Sequence, residues 1–275
     1  MPYAILQPQR VKAFNYLEVH NQDYEKVNLL SKDSISLQGY YVESNLETTY
    51  ASIILVHGIG GCKEHFSKLA MDLANRGYAS WLFDNRAHGA SGGQYTTYGF
   101  FEKQDISTIV NAIEKEDPES KIGIWGNSLG GAIAIQAIEN DKRIDFGIIE
   151  STFTDLNQIV LDYQRRYTYG FGFKWLCDQT LKKAGEIGRF NPKQVKPIES
   201  VKNIYCPILI AHGNEDANIR YEYGKQLFNN LKAKDKVFIT VDKADHYNMS
   251  NVGGEDYKNK LFAFLDRQTN NLNVD

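Results

Sequence analysis

No stretch of this sequence holds the roughly 18–20 consecutive apolar residues that a membrane-spanning helix needs. The opening residues, MPYAILQPQR, lack the basic region, apolar core and small-residue cleavage site of a signal peptide. A soluble, cytoplasmic protein is therefore expected. Cysteine is scarce. Cys62, Cys177 and Cys206 are odd in number and far apart, which gives no disulfide framework and no zinc knuckle and fits a reducing compartment. Cys62 follows a glycine-rich turn and reads either as a small apolar filler or as a reactive thiol. There is no Lys/Arg cluster, and the formal charge is −3, so neither nucleic acid nor an anionic membrane surface is expected as a partner. The phosphate-loop pattern ending in Gly-Lys-Ser/Thr and the dinucleotide pattern G-x-G-x-x-G are both missing.

The rest is ordinary: 275 residues, 42% apolar and 24% charged, enough for one large domain with an insertion. Residues 1–25 show no clear period and read as an N-terminal arm. KVNLLS and SISLQGYYVE then alternate apolar and polar residues, as in an antiparallel hairpin. From Ala51 onward, short continuous apolar runs (ASIILVH, YASWLFD, IGIWG, FGIIES, PILIAHG) suit strands buried on both faces. Between them lie helical patterns, with Gly77 and Pro118 as stop signals. The alternation predicts an α/β doubly wound, mostly parallel sheet over residues 26–270, with sites outside the carboxyl ends of its strands. It breaks at about residues 153–200, an aromatic stretch that reads as a helical cap insertion. The tail after Gln268 reads as frayed.

The motif with most chemical content is Gly126-Asn127-Ser128-Leu129-Gly130, a G-x-S-x-G between an apolar strand run and a helical pattern. A sharp reversal there strains the backbone at the serine, and flanking glycines leave room where side chains would clash. Ser128 is the candidate nucleophile, and a serine hydroxyl needs a base. KVFITVDKADHYNM supplies one late in the chain, as a strand run followed by a loop with His246. That base in turn needs a carboxylate to hold its tautomer. Asp216, in the loop after PILIAHG, is the candidate, with Glu215 and Asp245 as neighbouring competitors. An oxyanion would be held by backbone N–H groups: Leu129 after the nucleophile, and Ile59 in the HGIGG loop, with Gly58 and Gly60 as alternatives.

Taken together, HGIGG, DNRAHGASGG, GNSLGG, HGNEDANI and ADHYNM resemble, in order, the blocks of the α/β-hydrolase superfamily, over about Lys26 to Arg267. The chain is most similar to the serine aminopeptidase-like, prolyl-oligopeptidase-like and monoacylglycerol-lipase-like branch. The resemblance implies the α/β-hydrolase fold, the set Ser128–Asp216–His246, no cofactor, no metal, and hydrolysis of an ester, thioester or amide. One block departs: members often read Arg-Gly-His-Gly, and here it is Arg86-Ala87-His88-Gly89. Asp84, Arg86 and His88 read as loop braces, as do His57 and His212.

A serine at position 128 argues against haloalkane dehalogenase or epoxide hydrolase chemistry, which want aspartate there. The expected reaction is two-step acyl transfer on a small or medium carboxylic ester, with lipase, thioesterase and peptidase as alternatives. A non-catalytic binding protein on the same fold is the contrasting class. The aromatic insertion reads either as a wall for an apolar acyl or alcohol group or as packing between cap and core.

Overall fold

The computed structural model describes residues 2–269; the predicted frayed tail falls, beyond Thr269, on residues 270–275, outside the described residues. The arm forms α1 (Pro2–Leu6) and α2 (Tyr16–Val19). It is more than a surface strap, because Leu6 and Leu17 are fully buried. The two alternating stretches become β1 (Glu25–Leu30) and β2 (Ser36–Val42), antiparallel from Glu25↔Tyr41 to Leu30↔Ser36.

Then come β3 (Ala51–Val56), a 3₁₀ turn over Lys63–Phe66, α3 (Ser67–Ala74), β4 (Tyr78–Phe83), α4 (Glu102–Glu116), β5 (Ile122–Asn127), α5 (Leu129–Asn140) and β6 (Phe146–Glu150). The stretch before the next strand holds α6 (Leu156–Tyr167), α7 (Lys174–Gly188) and α8 (Pro197–Ser200). The chain closes with β7 (Ile208–Gly213), α9 (Tyr221–Asn230), β8 (Lys236–Val241) and α10 (Met249–Thr269), which is kinked at Gly254.

Among the described residues the strands form one sheet in the order β1-β2-β4-β3-β5-β6-β7-β8. The pairs β1–β2 and β2–β4 are antiparallel and the rest are parallel. The unbroken apolar runs are explained by two cores. Along β3, Ile54 and Val56 point into the layer shared with Ile133 of α5, while Ile53 and Leu55 point into the layer shared with Leu73 of α3 and Phe262 of α10. Each such side chain contributes about 1.5–3 kcal/mol on burial. By contrast β1, at the sheet edge, keeps its alternation and leaves Leu30 exposed. This is the α/β-hydrolase fold, and it brings the ends of β3, β5, β6, β7 and β8 together along one edge.

The insertion splits by position. Phe153 and Phe190 are buried in the core, whereas Tyr167, Tyr169, Phe171, Phe173 and Trp175, at the α6–α7 turn, are exposed. They form neither a substrate wall nor packing between cap and core. α7 instead packs against α1, and Asp155 caps α6 through the N–H groups of Asn157 and Gln158.

A candidate active site at the carboxyl ends of the strands

Ser128 sits between β5 and α5 with φ 55° and ψ −120°, a conformation an L-residue adopts only under constraint. The constraint is visible on both sides. A Cβ at Gly126 would lie 2.3 Å from the Gly130 carbonyl oxygen, and one at Gly130 would lie 1.9 Å from that of Val56. The Ser128 N–H donates to the Glu150 carbonyl (2.8 Å), and the Thr152 hydroxyl donates to the Ser128 carbonyl (2.7 Å). The glycines thus allow the turn, and β6 with the residues after it pins it.

Around that turn the structure assembles three of the predicted residues. His246 Nε2 lies 3.0 Å from Ser128 Oγ, and His246 Nδ1 lies 2.7 Å from Asp216 Oδ2. The other Asp216 oxygen accepts the N–H groups of Asn218 and Ile219, both at 2.8 Å. His212 Nε2 donates to the Ile219 carbonyl (2.9 Å) and stands 3.3 Å from Asp216 Oδ2. Burial pushes the Asp216 carboxyl up, but hydrogen bonds from His212, His246 and the backbone outweigh it and hold the group well below the usual carboxylate range. Glu215 is exposed, and Asp245 accepts the N–H groups of Tyr247 and Asn248 within its own loop.

The HGIGG loop passes close to the serine, where a Cβ on Gly58 would come within 3.2 Å of Ser128 Cβ. It turns back through a Gly61 N–H to Gly58 carbonyl bond (3.0 Å), with Gly60 at φ 68°. Ile59 lies at the crest, half exposed, and lines the cavity beside Ser128. Leu129 opens α5, so its N–H has no partner within the helix. The Leu129 N–H is thus left for a partner outside the helix.

Buried braces hold the loops. His57 Nε2 accepts the Asn85 N–H (3.0 Å), and its Nδ1 donates to the Gly58 carbonyl (2.8 Å). Burial, helped by nearby His88, lowers its pKa to about 3, so it stays neutral. Asp84 accepts the Lys63 N–H (2.7 Å), the Lys63 ammonium (2.8 Å) and the Ala90 N–H (2.8 Å), which ties the loop after β3 to the loop after β4. Arg86 forms a two-pronged pair with Asp105 (2.7 and 2.6 Å). Ala87 sits at φ 64°, the left-handed backbone that favours glycine. The reactive-thiol reading of Cys62 does not survive. The side chain is fully buried, and burial pushes the thiol up to about 11.

Two features escaped the sequence reading. Arg10, from the arm, donates to the carbonyls of His88, Gly89, Ser91 and Gly93 (2.5–3.1 Å). Glu150, at the end of β6, accepts from Trp125 Nε1 (2.5 Å) and from the Tyr257 hydroxyl, facing the cavity that reaches Ser128. Burial raises its carboxyl pKa, partly offset by those two bonds. Its signal was a carboxylate closing an apolar strand run. Among the described residues no group of three or more His, Cys, Asp or Glu side chains is arranged to hold a metal. No helix there is long and apolar enough to cross a membrane.

Comparison with known proteins agrees with this architecture. Residues 47–173 match the family model described as serine aminopeptidase, S33, a span that includes Ser128 but neither Asp216 nor His246. The chain is similar to lysophosphatidylserine lipase ABHD12 of Xenopus tropicalis, 29% identical over 73% of this chain and 52% of the relative. It thus spans about half the length of those lipases. It is also similar to YqkD of Bacillus subtilis (26%, over 84% of this chain and 75% of the relative). Among solved structures, the Pyrococcus furiosus esterase Pf2001 superposes with a TM-score of 0.79 at 24% identity, covering 96% of this chain and 98% of that one. The chain thus has the α/β-hydrolase fold, and over residues 47–173 it is similar to the serine aminopeptidase family S33.

Proposed function

We propose that this hydrolase cleaves a carboxylic ester of a small or medium, partly apolar molecule through an acyl-enzyme on Ser128. The observation that carries the reading is the continuous relay from Asp216 Oδ2 to His246 (2.7 Å) and from His246 to Ser128 Oγ (3.0 Å), on a serine held at positive φ. Ser128 Oγ attacks the ester carbonyl while His246 Nε2 takes its proton. Asp216 stays ionised, fixes the imidazole tautomer and stabilises the imidazolium. The N–H groups of Ile59 and Leu129 hold the oxyanion. Collapse breaks the bond to the leaving oxygen, which departs as an alcohol with the proton from His246. Water, deprotonated by His246, then releases the acid and regenerates Ser128.

Similarity to lysophosphatidylserine lipases favours a lipid-like acyl ester within this class. Three free cysteines, two of them buried, support a reducing, cytoplasmic setting. The test is labelling with a fluorophosphonate probe. Wild type is expected to label and Ser128→Ala not to. An unlabelled wild type, or equal labelling of the variant, would return the chain to the non-catalytic binders of this fold.

A further inference from the structure

The cavity at Ser128 encloses about 750 Å³ and does not extend beneath the aromatic turn. Of the insertion's aromatic side chains only Tyr163 lines it. From Ser128 it runs down the other face of the sheet, between α3 and α10. On α3 the wall is Phe66, just ahead of the helix, then Leu69 and Asp72. These are spaced three residues apart on one face and span about 9 Å at the helical rise of about 1.5 Å per residue. On α10 it is Tyr257 and Leu261, one turn apart, beside Phe262. The two walls are joined where Lys258 of α10 pairs with Asp72 of α3 (2.8 Å). Near the serine, Glu150 ties α10 to the sheet through Tyr257 and Trp125.

We propose that this cleft between α3 and α10, rather than the aromatic insertion, holds the acyl chain, and that it fits a linear chain of medium length ending near the Lys258–Asp72 pair. The inference rests on the esterase reading above. The two halves of an ester leave the site at different times. The alcohol departs first, taking its proton from His246, and water must then reach the same nitrogen. His246 and Tyr247, the latter 84% exposed, line the same cavity where it meets solvent. The acyl group stays bonded to Ser128 through the second step. A walled cleft beginning at the serine, apolar at Phe66, Leu69, Leu261 and Phe262 and charged at Lys68, Asp72, Glu255 and Lys258, suits the half that stays.

The experiment uses two ester series, one graded in acyl length from acetate to dodecanoate with one alcohol, the other graded in alcohol length with one acyl group. In Leu69→Trp, whose half-buried side chain faces the cleft, the ratio of kcat/KM for octanoate to that for acetate is expected to fall at least tenfold. Ser250→Trp, at an exposed position on the cleft rim, is expected to move the ratio in the same direction and covers the case in which Leu69→Trp does not fold. Phe171→Ser, on the aromatic turn, is expected to leave it at the wild-type value. An unchanged ratio in the cleft variants, or a shift confined to the alcohol series, overturns the assignment while leaving the esterase reading intact. A wild type that turns over no ester in either series overturns both.

Discussion

In the loops around Ser128, polar side chains are buried and held by two or more partners. At the α6–α7 turn, five large aromatic side chains face solvent. Asp216 accepts two backbone N–H groups and a histidine, Asp84 binds a backbone amide and an ammonium, and Arg10 reaches across from the arm to four carbonyls. Tyr169, by contrast, is 98% exposed and Trp175 is 70% exposed. An aromatic residue signals apolar area but not where that area goes. A buried polar group must find its partners within a few ångströms, so polar loops fix geometry in a way an aromatic turn does not.

The comparison can be broken by substitution. The largest effect is expected at Asp216→Asn, which keeps the shape but presents an amide to His246. Ester turnover should fall by about 10³–10⁴-fold with the fold retained. Loss in Glu215→Gln together with retained activity in Asp216→Asn would move the acid by one residue. Next is His57, an imidazole kept neutral by burial. Its folded pKa, about 3, lies below the ordinary value of about 6.5. The unfolded chain therefore binds the proton first, and stability falls as pH drops from about 6.5 toward 3. At pH 5 this group should remove about 2 kcal/mol relative to neutral pH. Urea titrations at pH 7 and 5 should show a shallower acid loss in His57→Gln than in wild type; equal slopes would remove His57 from that role. The smallest effect is expected on the aromatic turn. Tyr169→Ser and Phe171→Ser should each shift stability by no more than about 0.5 kcal/mol and leave kcat/KM on a soluble ester unchanged. A marked loss of either would mean that the turn is tied to the site.

The same contrast sets what was legible in the sequence. Strands buried on both faces left unbroken apolar runs, so the parallel sheet could be read directly, and the edge strand β1 kept its alternation. Ser128 was legible because its turn admits only glycine at Gly126 and Gly130. His246 and Asp216 were legible as polar loops following strand runs. The cleft between α3 and α10 was not, because Leu69, Leu261 and Phe262 have the helical spacing of ordinary core residues, and only the separation of two helices turns such a face into a cavity. The role of Arg10 was hidden for a similar reason: its partners are carbonyls some eighty positions away, which leave no pattern in side-chain type.

The positive φ at Ser128 means that the best residue for folding at this position is not the best one for chemistry. A non-glycine side chain held there costs about 1–3 kcal/mol. Ser128→Gly should therefore unfold at a higher temperature than wild type while losing turnover altogether. Stability and turnover should thus move in opposite directions at this one position.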